Sequence, residues 1–477
     1  MAKCPPFTAG RVPMSKTAVK TKPAIRRDLC KGCGRCIESC AQHCIVLGTE
    51  VHPASGVVPV ELDLGRCNAC GLCIDACPEP FALLDPEEAD RLAVVDAAPP
   101  RSHPVPDDVP PTTLPLRAGA TLFMKGAHAG AFGAVLSGCR HFYGYPITPS
   151  TEGAELMSRL LPELGGTYVQ APSEVAAVNM MYGAGAAGRT AMTFTSSPGF
   201  SLMLEGISYM ISAQLPGVFV NVMRAGPGLG NVGPAQADVK LACQGLGHGD
   251  THAPVFAPAT PQEMLDHTVL AFELAQRYRT PVVILADGYL GQMTGRVVLP
   301  DRMVKPGLPA WSVPGDAAHR GNLVTSILLD PHDFEQHNLA LVAKYARIRA
   351  AEQRAAPHLC DDAEVLLIAC NTPSQTVKGA VRTLREQGIR AGLFRPQTLW
   401  PFPIDALLPF LARTRRIVVV EASDGQIEAE LRLALSERDA GAGLAITHVR
   451  RLGGILPSQP EIVAAARAAA AAEGRAA

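Results

Sequence analysis

The chain has 477 residues, 47% of them hydrophobic, and this length exceeds what one core usually serves, so we expect two to four domains. Lysine and arginine total 43 against 44 aspartate and glutamate, a balance that excludes a strong electrostatic footprint for nucleic acid or an anionic membrane. No apolar run reaches the ~18–20 residues that span a bilayer, and the start lacks the apolar segment of a secretory signal, so we expect a cytoplasmic protein.

The N-terminal region is rich in cysteine. Residues 1–22 are predicted to be a flexible tail, and ten of the 14 cysteines precede residue 78. The pattern C-x2-C-x2-C-x3-C occurs twice, at 30–40 and at 67–77. Three thiolates on one tight loop can bind three irons of a cubane, and the glycines let backbone amides point at the sulfurs. The alternatives are zinc ribbons, which usually separate their CxxC pairs, and a disulfide knot, which an export signal would favour.

This segment resembles a bacterial-type two-cluster ferredoxin over about residues 23–85, and we place a small α+β domain at 23–88. In such ferredoxins the fourth ligand of each cluster comes from the other motif. The resemblance therefore implies two 4Fe–4S clusters. The first would bind Cys30, Cys33, Cys36 and Cys77, and the second would bind Cys67, Cys70, Cys73 and Cys40. Ala41 replaces the usual proline, and Cys44 is predicted to be a spare thiol.

A proline-rich segment follows at 89–117. Seven prolines between Pro99 and Pro115 favour polyproline II, which rises ~3.1 Å per residue and acts as a semi-rigid spacer. The segment is predicted to tether the ferredoxin-like domain to the rest of the chain.

Beyond the linker, apolar strand-like runs alternate with helical patterns, which predicts an α/β fold with a parallel sheet covered by helices on both faces. We place one such domain at 118–300, with buried strands in "HFYGYP", "TYVQA", "AMTFTSS", "GVFVNVM", "PVFAPA" and "PVVILA". A connecting segment, 301–360, contains a long polar helix. A second α/β domain at 361–477 has strands in "EVLLIAC", "RAGLFRP", "RIVVVEA" and "AITHVR", and its first helix is predicted to end at Gly388.

Three polar residues follow strands of the first domain: Thr148, Glu174 and Arg224. In open α/β sheets, ligands bind beyond the carboxyl ends of the strands. Pro146 and Pro149 flank Thr148 and prevent an early helix. Each residue also has a purely structural explanation: a helix cap for Thr148, an acid favoured by the helix dipole for Glu174, and a surface charge for Arg224.

Several motifs together resemble the α subunit of 2-oxoacid:ferredoxin oxidoreductases, with the order and spacing of the 3-methyl-2-oxobutanoate type. They are "GYPITPSTE", "VQAPSEVAAVNMMYGAGAAG", "TSSPGFSLMLEGISYM", "VNVMRAGPGLGN", "ILADGYLGQM", "FRPQTLWPFP" and "RLGGILPSQPEI". The resemblance implies a thiamine-enzyme pyrimidine-binding domain followed by a transketolase C-terminal-like domain. The N-terminal segment resembles the small ferredoxin subunit of that enzyme, fused here to the α subunit.

The resemblance also implies thiamine diphosphate chemistry with Mg²⁺. Glu174 matches the glutamate that bonds the aminopyrimidine ring, where a carboxylate acts best in a dry pocket. Thr148 matches the threonine that hydrogen-bonds the substrate, and Pro146 and Ile147 of the same motif are expected beside the cofactor. Arg224 matches the arginine that faces the 2-oxoacid carboxylate, which suits a guanidinium fork.

Two further motifs set limits on the site. "GLGNVG" at 228–233 matches a dinucleotide fingerprint, but Pro227 and Pro234 flank it, so we predict a loop on the substrate side. The GDG motif that holds diphosphate and Mg²⁺ in thiamine enzymes is not supplied by "HGDTHA" or "ADGYLG". The resemblance therefore implies a β subunit with the diphosphate site, a γ subunit, and a hetero-oligomer such as a dimer of heteromers.

The leading hypothesis is oxidative decarboxylation of a branched-chain 2-oxoacid to acyl-CoA and CO2, with coenzyme A as cosubstrate and an external ferredoxin as electron acceptor. One alternative keeps the reaction but acts on 2-oxoglutarate, pyruvate or an aryl 2-oxoacid. An alternative of another class makes the chain a non-catalytic electron-transfer and scaffold subunit.

Overall fold

The computed structural model describes residues 21–52, 57–79, 82–86, 119–300, 304 and 307–471. The chain forms two compact units, Met1–His103 and Pro104–Ala477. The predicted tail up to residue 20 and the predicted linker at 89–117 lie outside the described residues. In the described part, no helix combines the length and the apolar character needed to cross a membrane.

The N-terminal unit contains the two cysteine motifs, each folded as a loop followed by a short helix. Each helix begins directly after a glycine in the left-handed region, Gly34 at φ 76° and Gly71 at φ 80°, where a side chain would be strained. The elements are β1 (Ala24–Ile25), α1 (Arg35–Glu38), β2 (Ile45–Leu47), β3 (Val60–Leu62), α2 (Leu72–Ala76) and β4 (Leu83–Leu84). Strands β1 and β4 pair antiparallel, as do β2 and β3.

The larger unit opens with an α/β domain. Its strands are β5 (Thr121–Lys125), β6 (His141–Gly144), β7 (Thr167–Gln170), β8 (Ala191–Thr195), β9 (Gly217–Met223), β10 (Val255–Phe256), β11 (Pro281–Asp287) and β12 (Thr294–Val298). Its helices are α3 (Gly126–Leu136), α4 (Thr151–Glu163), α5 (Glu174–Ala186), α6 (Ser197–Ser212), α7 (Val239–Gln244), α8 (Pro261–Tyr278) and α9 (Gly288–Gln292).

The second α/β domain follows a long helix. The elements are α10 (Pro331–Ala351), β13 (Ala355–His358), β14 (Val365–Ile368), α11 (Asn371–Glu386), β15 (Ala391–Pro396), β16 (Thr398–Trp400), α12 (Ile404–Leu411), β17 (Arg416–Glu421), α13 (Gln426–Ser436), β18 (Ala445–Arg450) and α14 (Gln459–Ala471). Helix α10 is the predicted long polar helix, and α11 ends just before Gly388 as predicted.

The main sheet of the described chain has the order β16-β10-β11-β9-β8-β6-β7, with every neighbouring pair parallel except β16 and β10. Alternate residues of its central strands point to opposite faces. Val218, Val220 and Val222 of β9 belong to one apolar cluster, while Phe219 and Met223 belong to another. Both faces are therefore covered, as the continuous apolar strands predicted.

Sequence reasoning was wrong about one strand and missed several others. Strand β7 was predicted to be buried, but it forms the edge of the sheet and has no buried residue. The antiparallel pair β5–β12 and strands β13 and β16 were not predicted.

The second sheet has the order β13-β15-β14-β17-β18, and β13 is its antiparallel edge. One apolar cluster continues from the first sheet into this domain, since it joins Phe219 and Val283 to Leu366 and Ile417. Strand β16 also leaves the second domain to pair with β10 of the first sheet. The two α/β domains therefore share one core.

Candidate functional site

Four neighbouring strands bring the predicted residues to one edge of the main sheet. The adjacent order β9-β8-β6-β7 places Arg224, the Thr195–Ser197 segment, Thr148 and Glu174 beyond consecutive carboxyl ends. This is the edge at which parallel α/β sheets bind ligands. The structure therefore brings Thr148, Glu174 and Arg224 into one region.

Thr148 lies in the loop between β6 and α4. The loop stays out of the helix until Thr151, and the Ser150 hydroxyl donates to the Ile147 carbonyl at 2.7 Å. Thr148 and Pro146 are exposed at this edge, and Ile147 is half-buried. Arg224 Nη1 donates to the Thr148 carbonyl oxygen at 2.8 Å. The predicted substrate threonine and arginine are thus in direct contact.

Glu174 is the first residue of α5, after Ser173, whose hydroxyl accepts from the Ala176 amide at 3.2 Å. Glu174 is only 5% exposed. Its carboxylate packs against Gly199, where an added Cβ would lie 2.5 Å from Glu174 Oε1 and 2.4 Å from Thr195 Oγ1. The position therefore requires glycine, because any side chain would displace the carboxylate.

One buried hydroxyl, that of Thr195, lies against the same face of Gly199 as this carboxylate. Within the described residues, Thr195 Oγ1 and Ser196 Oγ are buried and have no hydrogen-bond partner. A buried polar group without a partner costs free energy, so such groups signal a missing ligand or water. A buried acid beside unpartnered hydroxyls and a glycine cradle fits the polar ring of a thiamine cofactor.

Arg224 is fixed by a polar chain that sequence reasoning missed. Its backbone amide donates to Ser197 Oγ at 3.0 Å, and the Ser197 hydroxyl donates to Asp238 Oδ2 at 2.5 Å. Asn221 Nδ2 donates to the same oxygen at 2.9 Å. Burial raises the pKa of Asp238, while the Ser197 and Asn221 hydrogen bonds act in the opposite direction. The hydroxyl groups directly after β8 could have been recognised in the sequence as candidate site residues. Asp238 could not, because it lies in a loop far along the chain from β8.

A cavity of about 440 Å³ lies beside Arg224, lined by the first domain at Ser197 and Asp238 and by the second domain at Ser423 and Gly453. Its wall includes part of the loop that carries "GLGNVG". This loop opens no helix, and Asn231 Nδ2 donates to the Gly453 carbonyl at 3.0 Å. The loop therefore lines this cavity and is not a dinucleotide fingerprint, and its place on the substrate side stays a prediction.

Asp287 of "ADGYLG" cannot serve as a ligand for a diphosphate-bound metal. It is fully buried, and its carboxylate accepts from the amides of Tyr289, Leu290 and Thr372 and from the Thr372 hydroxyl. These four donors belong to the chain itself. The residue joins the two α/β domains.

The eight motif cysteines line two cavities in the N-terminal unit. One is lined by Cys30, Cys33, Cys36 and Cys77. The other is lined by Cys67, Cys70, Cys73 and Cys40, together with Cys44. Each cavity thus combines three cysteines of one motif with the last cysteine of the other, which is the arrangement predicted for two clusters.

The cysteines of these cavities are reduced, and backbone amides face one of their sulfurs. Among the described residues, no three His, Cys, Asp or Glu side chains converge closely enough to hold one metal ion, and the cysteines are free thiols. Backbone amides face the sulfurs: those of Gly32 and Val60 donate to Cys30 Sγ at 3.5 Å. Burial and then Cys30 and Cys77 raise the pKa of Cys36 to about 11, and a bound cation would favour its thiolate.

Three family models match the chain. The thiamine diphosphate-binding region of pyruvate flavodoxin/ferredoxin oxidoreductases matches residues 132–353. Core domain II of pyruvate:ferredoxin oxidoreductase matches residues 363–462, and a 4Fe–4S dicluster domain matches residues 29–80.

Relatives and a solved structure agree with these matches. Ketoisovalerate oxidoreductase subunit VorB of Methanothermobacter thermautotrophicus is 46% identical over 339 residues, covering 71% of this chain and 94% of the relative. 2-Oxoglutarate synthase subunit KorA of Methanocaldococcus jannaschii is 35% identical over 365 residues, covering 71% and 97%. 2-Oxoglutarate:ferredoxin oxidoreductase from Magnetococcus marinus, solved with 2-oxoglutarate, coenzyme A and succinyl-CoA bound, is similar at TM-score 0.67 and 25% identity over 80% of this chain and 70% of that chain.

The predicted fold class, the resemblance and the two kinds of cofactor-binding domain are thereby confirmed. The relatives are subunits of multi-subunit oxidoreductases, so a hetero-oligomer is also supported. The chain belongs to the 2-oxoacid:ferredoxin oxidoreductase family and is a subunit that combines a thiamine diphosphate-binding region with a 4Fe–4S dicluster domain.

Proposed function

We propose that this chain forms the pyrimidine-side wall of a thiamine diphosphate site shared with a partner subunit, in an enzyme that converts a branched-chain 2-oxoacid and coenzyme A to acyl-CoA and CO2. Residues 118–300 would carry the wall, residues 361–477 would support it, and the clusters in residues 23–88 would receive the two electrons. The observation that carries this proposal is the buried Glu174, which lies beside unpartnered hydroxyls at the same sheet edge as the Arg224–Thr148 contact.

Glu174 is the residue that activates the cofactor in this proposal. Thiamine diphosphate, when bound, supplies the nucleophilic carbon that attacks the 2-oxoacid and stabilises the charge left by loss of CO2. The Glu174 carboxylate would hold a proton at the pyrimidine ring nitrogen, with Pro146 and Ile147 beside the ring. Burial strengthens this interaction because water cannot compete for the carboxylate.

Arg224 and Thr148 would orient the substrate. A guanidinium matches a carboxylate with two parallel donors, and Arg224 Nε is buried without a partner among the described residues. Nη1 is held by the Thr148 carbonyl, which fixes the plane of the fork. The exposed Thr148 would present its hydroxyl on the same side. Both groups would be in place before substrate arrives, which reduces the entropy lost when the side chains and the substrate are aligned for reaction.

A β subunit would complete the site with the diphosphate and Mg²⁺ ligands. The chain offers no GDG motif, and the carboxylate of Asp287 is already satisfied by its own chain. Five apolar side chains are exposed in the segments around this edge: Tyr145, Val175, Leu202, Leu229 and Val232. We infer that the partner subunit covers these side chains. Isolation of the complex should also yield a γ subunit, as a dimer of heteromers.

The clusters would accept the electrons that the reaction releases at the thiamine site. When loaded, 4Fe–4S clusters accept electrons one at a time. We propose Cys30, Cys33, Cys36 and Cys77 as ligands of the first cluster and Cys67, Cys70, Cys73 and Cys40 as ligands of the second. An external ferredoxin would be the final acceptor. Replacement of Cys33 should spare decarboxylation and impair electron delivery.

The branched-chain preference rests on the identity of 46% to the ketoisovalerate subunit against 35% to the 2-oxoglutarate subunit. One methylene in an apolar pocket is worth only ~1–3 kcal/mol, so the preference over a smaller apolar 2-oxoacid such as pyruvate should be about 10- to 100-fold in kcat/KM. Rates with 2-oxoisovalerate, 2-oxoglutarate, pyruvate and an aryl 2-oxoacid test this order. A higher kcat/KM for 2-oxoglutarate would replace the branched-chain assignment.

Replacement Glu174→Gln tests the catalytic assignment. We expect thiamine-dependent acyl-CoA formation by the reconstituted complex to fall at least ~100-fold, because the amide cannot supply the charge that the ring requires. Iron content and complex assembly should not change. Glu386→Gln is the matched control, because Glu386 is an exposed helical carboxylate. A full rate in Glu174→Gln would favour the alternative that the chain is an electron-transfer and scaffold subunit.

A further inference from the structure

The two cluster cavities differ by one thiol. Among the described residues, four cysteines line the cavity of the first cluster, whereas five line that of the second. The fifth is Cys44, which is only 6% exposed and directly precedes β2. The two motifs are otherwise closely matched, since Gly34 and Gly71 occupy equivalent positions in the left-handed region. The extra thiol is therefore a specific difference between the two sites.

Cys44 contacts the sulfur of one proposed ligand. Its Sγ lies 3.3 Å from Cys40 Sγ, and the two side chains line the same cavity as Cys67. A thiol in this position can donate its single hydrogen to the Cys40 sulfur.

The motif spacing assigns Cys40, and not Cys44, to the iron. Cys40 is the fourth cysteine of its C-x2-C-x2-C-x3-C motif, and Cys44 lies outside that motif. The turn between them has His43 in the left-handed region at φ 46°, and the His43 amide donates to the Cys40 carbonyl at 3.0 Å. A cysteine sulfur that binds iron does so without its proton, so Cys44 is the member of this pair that can donate.

We propose that the Cys44 thiol donates an S–H···S hydrogen bond to the Cys40 sulfur beside the second cluster. Hydrogen bonds to ligand sulfurs draw charge away from a cluster and stabilise its reduced form. Cys44 therefore raises the reduction potential of the second cluster and leaves the first unaffected. The proposal rests on the cluster ligands proposed above and is independent of the thiamine site.

The test is an EPR-monitored redox titration of the complete, anaerobically purified complex with Cys44→Ala. Iron and sulfide analysis should still return two clusters. One midpoint potential should shift to lower values and the other should stay at its wild-type value. Cys44→Ser keeps a donor at the same position, so its shift should be smaller. Cys243→Ala, which removes a buried thiol from the larger unit, is the matched control and should leave both potentials unchanged.

Two results would overturn the proposal. If both potentials in Cys44→Ala equal those of the wild type, Cys44 is only an apolar filler. If Cys44→Ala and Cys44→Ser both lose half of the iron while Cys40→Ala keeps it, Cys44 is a ligand. Since the titration uses dithionite and no 2-oxoacid, its result does not depend on thiamine chemistry. A wild-type complex without cluster signals would instead refute the assignment of the clusters themselves.

Discussion

The two units of the chain accommodate their cofactors in opposite ways. In the apolar cluster of the N-terminal unit, five of the eight buried residues are cysteines, and Ile45, Val60 and Leu83 are the others. The proposed ligands of the clusters are therefore also the core. In the larger unit, apolar clusters cover both faces of the main sheet, and Glu174 lies at the sheet edge.

This difference determines how far folding and chemistry can be separated. A unit whose core consists of metal ligands gains its folding free energy from metal binding. A unit with an aliphatic core keeps its fold when a residue at its edge is changed, so substitutions there report on chemistry. The same chain should respond very differently to damage at its two cofactor sites.

The largest effect is expected from removal of iron. The N-terminal unit is a small domain with few aliphatic core residues, too few to remain folded without its clusters. Chelation under reducing conditions should abolish hydrogen-exchange protection at residues 24–25, 45–47 and 60–62. The strands of the larger unit should keep theirs, because their cores contain no cluster ligand. Persistent protection of β2 and β3 in iron-free protein would contradict the inference that the N-terminal unit needs its clusters to fold.

A second prediction concerns Gly199 in the larger unit. The Cβ of Gly199→Ala would lie 2.5 Å from Glu174 Oε1, so the carboxylate must move. Misplacement of a catalytic group by about 1 Å costs on the order of 100-fold in rate, and we expect that loss in acyl-CoA formation. Iron content and thermal unfolding of the larger unit should change little.

Gly183→Ala is the matched control for this substitution. Gly183 lies in α5, the helix that begins at Glu174, and an added Cβ there meets nothing within 4 Å. Alanine should raise helix stability by up to ~1 kcal/mol and leave the rate unchanged. Equal losses of activity in both variants would mean that glycine flexibility, and not the Glu174 contact, sets the rate.

Local signals explain what could be predicted from the sequence. Continuous apolar runs such as β9 and β11 identified buried parallel strands, and the carboxyl ends of β6, β7 and β9 located Thr148, Glu174 and Arg224. The cysteine spacing identified both cavities. The roles of these residues came from the family resemblance, since spacing alone could not separate Glu174 from an ordinary helix-start acid.

Features that depend on tertiary contacts could not be predicted. Strand β16 has three residues, and its pairing with β10 joins positions more than 140 residues apart. Asp238 accepts a hydrogen bond from Ser197, which lies 41 positions earlier in the chain, and its role follows only from that contact. The proximity of Cys44 to Cys40 needed the left-handed turn at His43, a conformation that no residue in the motif demands.

The smallest predicted effect is a pH dependence at the junction of the α/β domains. Burial lowers the pKa of His267 to about 4, with Arg395 and Arg354 acting in the same direction and Glu263 opposing them. The unfolded chain binds this proton with a pKa of about 6.5. Between pH 6.5 and 4 the unfolded state therefore binds more protons, and stability falls as pH falls. From pH 7.5 to 5.5 this histidine alone should remove about 1 kcal/mol from the larger unit.

Replacement His267→Gln should reduce that pH dependence by about 1 kcal/mol, measured by chemical unfolding of the larger unit at both pH values. The quantity to compare is the change in the free energy of unfolding between the two pH values. Its absolute value is not used, because the glutamine also changes packing against Phe256. His332→Gln, at an exposed position of α10, should leave the wild-type pH dependence intact. An unchanged pH dependence in His267→Gln would assign the acid sensitivity to other buried histidines such as His141, whose pKa is lowered to about 4 by burial.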